Sequence, residues 1–176
     1  MSIFSSLLGW GKENISSFSP EIDLNSFSVD NSILNQPVSS DDKFYEYFLR
    51  KEVLNLPKEG LEIGVKDKVL DYVVITLESF KGKLLFNGAN LELTSEHFPE
   101  DIESLFGEPY WTDNSDGEKI LFYEYNHGLI ELQFEFSDGE HLSHITFMKN
   151  GVLSAAEQRR LYHVHKPWPP EDDQDK

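Results

Sequence analysis

Two stretches of this chain carry similar motifs in the same order, and that internal likeness limits its possible folds more than any single residue does. Ile22-Asp-Leu24 and Leu91-Glu-Leu93 read as short alternating strands. Each precedes a stretch that reads as a short helix, the first ending Leu34-Asn-Gln-Pro37 and the second Phe106-Gly-Glu-Pro109. Asn and Gly tolerate the left-handed conformation that closes a helix, and a Pro just beyond stops it. Then come Phe44-Tyr-Glu-Tyr47 and Phe122-Tyr-Glu-Tyr125, followed by Gly60-Leu-Glu-Ile63 and Gly128-Leu-Ile-Glu-Leu132. The last pair is Leu70–Ile75 and Leu142–Phe147. Shared order with uneven spacing is what a degenerate duplication leaves. The expected fold is α+β: two degenerate repeats of a short helix plus an antiparallel β-sheet, with the helices on one face. The expected boundaries are a lead-in over 1–20, repeat A over 21–85, repeat B over 86–153, and a short helix with an extended acidic tail over 154–176. One competing pattern breaks the correspondence: Phe44, Tyr47, Phe48 and Val53-Leu54 also have helical spacing.

The second copy is the clearer. Pro99 to Phe106 reads as an amphipathic helix with Ile102, Leu105 and Phe106 on one side. Glu100, Asp101 and Glu103 fall at its start, where acids complement the helix dipole. Thr112 to Gly117 is a turn cluster. Ile130, Leu132, Phe134 and Phe136 alternate with Glu131, Gln133 and Glu135, as a half-buried strand requires. Asp138-Gly139 marks a hairpin turn, and Asn150-Gly151 closes the unit. The solvated face is expected to show Glu131, Gln133, Glu135 and His144, with Tyr123 and Tyr125. Its counterpart in the first copy would show Glu62, Lys66, Tyr72, Val74 and Thr76. Ser154, three residues before Glu157, has capping-box spacing for a helix over 154–162.

Charge bears on partners. Thirty-two acidic against 15 basic side chains leave a net charge of −17. Nucleic acid is disfavoured, because phosphates would be repelled and no basic stripe exists. A basic partner is favoured, since its approach would be accelerated; the alternative is that acidity serves solubility alone. The chain has no cysteine, so disulfides and thiolate chemistry are excluded. No apolar run approaches a membrane span. The start, Met1 to Trp10, lacks the basic region and cleavage site of an export signal. Its Phe4, Leu7 and Leu8 suit one face of a short helix. The expected compartment is the cytoplasm.

No catalytic constellation emerges. There is neither a glycine-rich phosphate loop nor a Gly-x-Ser-x-Gly elbow. His141 and His144, three apart in a presumed strand, would point to opposite faces and chelate poorly. His163 and His165 would share a strand face, and could hold a metal only with a third ligand; exposed tail histidines are the plainer reading. Asp113 to Glu118 lacks the ligand spacing of a calcium loop. Glu131 and Glu135 would lie roughly 13 Å apart on one strand, too far for a glycosidase pair. No metal and no cofactor are expected. Trp111, after Pro109-Tyr110, and Trp168, between Pro167 and Pro169, are aromatic side chains suited either to anchor a partner or to cover their own core.

The second-copy order, with Phe-Gly-Glu-Pro at 106–109, Phe-Tyr-Glu-Tyr at 122–125 and the aromatic hairpin over 128–147, resembles the helix-on-sheet repeat of beta-lactamase-inhibitor-like proteins. Small outer-membrane assembly lipoproteins share this order, but the lipobox cysteine is missing here. Residues 21–150 also resemble the small acidic immunity proteins encoded beside polymorphic toxins of type VI secretion and contact-dependent inhibition. That resemblance implies a non-enzymatic function, with a cognate and basic toxin domain as partner. The expected contacts are Trp111, Asp113, Asp116, Tyr123, Tyr125, Glu131, Gln133, Glu135 and His144. Two other readings stand beside it: a non-catalytic ligand-binding or scaffold module, and a hydrolase using the region of His163 and His165.

Overall fold

A computed structural model describes residues 18–151 and 153–164. The N-terminal segment, His165 and Trp168 lie outside the described residues. The chain is mixed α+β, mostly strands in two sheets with short helices. Among the described residues one sheet has five strands and the other seven. Two compact units can be distinguished. One runs to Asp71 and resumes over Ser79–Glu92; the other takes Tyr72–Glu78 and the chain from Leu93 onward.

In the first unit, β1 (Glu21–Asp23) pairs antiparallel with β2 (Ser28–Val29), which pairs with β3 (Ser32–Ile33). On its other edge β1 runs parallel to β7 (Lys83–Phe86), whose hairpin partner is β8 (Ala89–Asn90). A parallel neighbour needs a long crossover, and some 60 residues separate β1 from β7 in sequence. The crossover carries α1 (Tyr45–Phe48), the hairpin of β4 (Val53–Leu56) with β5 (Leu61–Lys66), and the start of β6 (Val69–Thr76). Ile22, Leu24, Val29, Leu34, Phe44, Ile63 and Leu70 form its core.

Three sequence expectations are corrected in this region. The stretch ending Leu34-Asn-Gln-Pro37 is two strands rather than a helix. Phe27, Asp30 and Asn35 adopt positive φ, and each such residue interrupts a right-handed helix. Phe44-Tyr-Glu-Tyr47 lies at the start of α1 instead of in a strand, but the competing helical pattern ends at Phe48, since Val53-Leu54 belong to a strand. Leu91–Leu93 falls outside any strand.

In the second unit, β6, β12 (His144–Lys149), β11 (Ile130–Phe136), β10 (Lys119–Tyr125) and β9 (Trp111–Asp113) pair antiparallel in that order. Register fixes two faces. Val73, Ile75, Ile145, Phe147, Leu132, Phe134 and Leu121 share the apolar one, all fully buried. Against it packs α2 (Pro99–Phe106), with Pro99 at its first turn and Gly107 (φ 85°) at its end, as expected. Ile102 is fully buried, and the Phe106 ring lies 4.7 Å from that of Phe134.

The turns follow local chemistry. Asp116 and Gly117 have positive φ between β9 and β10, as do Asn126, His127 and Gly128 between β10 and β11. The last element, α3 (Ala156–Leu161), starts at Ala155 with no side-chain cap, so Ser154 does not form the expected capping box. His163 follows α3 with φ 55°, so it does not take the extended conformation expected for it. Among the described residues, no helix is long and apolar enough to cross a membrane.

Candidate partner-binding face

The second face of the β6–β12–β11–β10–β9 sheet carries polar side chains. Glu131, Gln133 and Glu135 on β11 stand opposite Met148, Thr146 and His144 on β12, and opposite Glu124, Phe122 and Ile120 on β10. Trp111 and Asp113 flank the same face from β9. Trp111, Asp113, Gln133, Glu135 and His144 are therefore brought together, each half-buried, with Asp116 exposed in the adjacent turn. The Trp111 ring lies 4.7 Å from that of Phe122 and 6.1 Å from that of Tyr162 beyond α3. The imidazole of His144 sits 3.4 Å from the carboxylate of Glu135, which also accepts a hydrogen bond from the Ser137 hydroxyl at 3.0 Å.

Three expected contacts are placed differently. Tyr123 pairs with Leu132 and therefore points to the apolar face. It is 5% exposed, and its hydroxyl donates to the carbonyl of Gly107 at 2.9 Å. Burial, with Glu103 and Tyr125 nearby, holds that hydroxyl well above the ordinary tyrosine range. Tyr125 pairs with Ile130 on the same side, and burial raises its hydroxyl pKa too. The reason is register: odd-numbered residues of β10 share a face with even-numbered residues of β11.

Glu131 does lie on the polar face but is fully buried. Its carboxylate accepts from the Tyr110 hydroxyl at 2.8 Å and from the Gln133 amide at 2.6 Å. The backbone of Gly151 closes over it so tightly that a Cβ there would fall on the carboxylate. The Tyr110 hydroxyl is pushed far up by burial first and by Glu131 second, with Arg159 opposing. Arg159 is itself buried and donates to the carbonyls of Leu153 (2.8 Å) and Ser154. This buried network was not foreseen. Its one legible signal was Gly151, which reads as a turn residue but is required as a residue without a side chain.

The first unit has an acidic cleft lined by Glu21, Asp30, Asn31, Asp41, Asp42 and Lys43. Asp42 accepts from the backbone N–H of Asn31 (3.0 Å), its side-chain amide (2.8 Å) and the Ser32 hydroxyl. These bonds tie the β2–β3 hairpin to the loop before α1. Burial raises the pKa of Asp30 there. Among the described residues, no three His, Asp or Glu side chains are placed to hold a metal ion.

No protein-family model and no curated protein matches this chain. A solved structure with weak similarity is a DUF4309 family protein (YjgB) from Bacillus subtilis subsp. subtilis str. 168. It is 16% identical over 66% of this chain and 70% of that one, with a TM-score of 0.36.

Proposed function

We propose that this chain is an immunity protein, which binds a cognate bacterial toxin domain and neutralises it by contact, without catalysis or cofactor. The observation that carries the reading is a polar sheet face rimmed by acidic turns in a chain of net charge −17. Such a field accelerates the approach of a basic protein and repels nucleic acid. The working compartment in this reading is the cytoplasm. Trp111 is the proposed anchor, because buried aromatic contacts carry more binding energy than rim charges. Asp113, Asp116, Gln133, Glu135 and His144 surround it, while Tyr123 and Glu131 hold the face in shape from inside.

The reading includes the two-copy architecture, with the helix of each copy on one side of its sheet. Its support is that β4-β5-β6 and β10-β11-β12 are both antiparallel meanders that follow a helix.

Co-expression tests the function. Cells carrying a toxin-bearing reading frame encoded beside this gene should survive only with this protein present. Association should slow as salt rises and in Glu135→Lys, while Trp111→Ala should speed dissociation. Survival without this protein, or no complex between the purified pair, sinks the reading.

A further inference from the structure

Beyond the sheet face, α2 leaves part of its apolar surface uncovered. Pro99 and Ile102 are buried, and Phe106 packs on Phe134. Phe98 and Leu105 remain 44% and 43% exposed. Phe98 caps the helix in an extended conformation (φ −97°, ψ 165°), and Leu105 lies in its last turn. Phe98 also rests on the imidazole of His141, at 5.2 Å between ring centroids. Exposed apolar side chains along a helix are what amphipathic segments dock against.

Charge defines the occupant. No Lys or Arg occurs in the sequence between Lys83 and Lys119. Around the two apolar side chains, Glu96, Glu100, Asp101, Glu103 and Glu108 are all exposed. Among the described residues, none of these acids has a Lys or Arg within ion-pair distance. A second copy would bring the same acids against themselves, at an electrostatic cost. A cationic segment with apolar side chains meets both demands at once, since its charges answer the acids while its apolar groups cover Phe98 and Leu105.

We propose that the Phe98/Leu105 flank of α2 is a docking surface for a basic, amphipathic protein segment. This surface lies on the opposite side of the sheet from the proposed toxin-binding face, and its test needs no toxin, so the two proposals fail separately. The probe is a short amphipathic Leu/Lys helical peptide, titrated at low salt into the isotope-labelled full chain. Amide shifts should concentrate at Glu96–Gly107 and His141. Affinity should fall about tenfold or more in the Phe98→Ser/Leu105→Ser double variant, as for loss of two anchors. A Lys/Ser peptide of equal charge should bind more weakly by a similar factor, and Leu129→Ser, an exposed apolar residue of the β10–β11 hairpin, should leave affinity unchanged. Shifts centred on β9–β12, or unchanged affinity in a folded double variant, overturn the proposal. So does a wild-type dimer, seen by sedimentation, that the double variant dissolves, because the occupant is then a second copy.

Discussion

The tetrapeptide Phe-Tyr-Glu-Tyr occurs twice in this chain and folds twice differently. Residues 44–47 begin and occupy α1, whereas residues 122–125 end strand β10. In the helix, Phe44 is fully buried edge-on to Phe18 and Phe48, and the Tyr47 hydroxyl donates to the carbonyl of Val53 at 2.8 Å. In the strand the pattern alternates: Phe122 meets Trp111 on the polar face, and Tyr123 is buried on the other. The difference lies in the flanks. Phe48 extends a helical stripe after the first copy, and Asp42 offers its carbonyl to the N–H of Tyr45 at 3.0 Å. Lys119-Ile-Leu121 before the second copy and the positive-φ turn Asn126-His127-Gly128 after it build a hairpin instead. Local propensity is a weak prior that tertiary packing overrides.

The largest test of that contrast is at the second position of each copy. Tyr123→Ala should cost about 3–5 kcal/mol, as for a buried aromatic, and Phe44→Ala a similar amount. Tyr45→Ala, at the half-exposed helical position, should cost under about 1 kcal/mol. Urea denaturation reads all three, and equal losses at Tyr45 and Tyr123 would mean that the two copies share one conformation.

Next in size is the support beneath the strand copy. Gly151→Ala should cost about 1–3 kcal/mol, because the new Cβ strikes the buried Glu131 carboxylate. Gly88→Ala is the contrasting case: its Cβ meets no neighbour, and its cost comes from a φ of 72° that disfavours a side chain. A Gly151→Ala protein that melts like wild type would show that Glu131 is not held as described.

The smallest effect is at the hairpin joining β11 to β12. Asp138 accepts from the N–H groups of His141 (2.7 Å) and Glu140 (2.9 Å), and from the His141 ring. These backbone bonds first, and the ring second, hold the Asp138 carboxyl far below its usual range. The hydrogen bond that its ring donates to Asp138 raises the pKa of His141 above 6.5, with Glu140 and Glu96 adding to it. The His141 contribution is therefore complete below pH 6.5 and is lost as pH rises through its higher folded value. That of Asp138 is present above its unfolded value near 3.8 and is lost as pH falls. Both groups are exposed, so the change in stability should be slight. An NMR titration should show the His141 midpoint dropping in Asp138→Asn; an unmoved midpoint would remove the pair from the turn.

Several features needed only nearest neighbours along the chain. Pro99 and Gly107 bound α2, and the alternation over 130–136 makes β11, because a first-turn proline, a left-handed glycine and a period of two act locally. Asp138-Gly139 and Asn150-Gly151 turn the chain for the same reason. The side to which a strand residue points is a different matter. It depends on register with a partner strand, and a shift of one residue reverses every assignment, so Tyr123 and Tyr125 could not be placed from β10 alone. Burial of Glu131 likewise required Tyr110 and Gly151 to arrive from two distant points of the chain, beside Gln133 on its own strand. A carboxylate in an alternating strand reads as solvated until such donors and a covering backbone are in place, and only the tertiary structure brings them there.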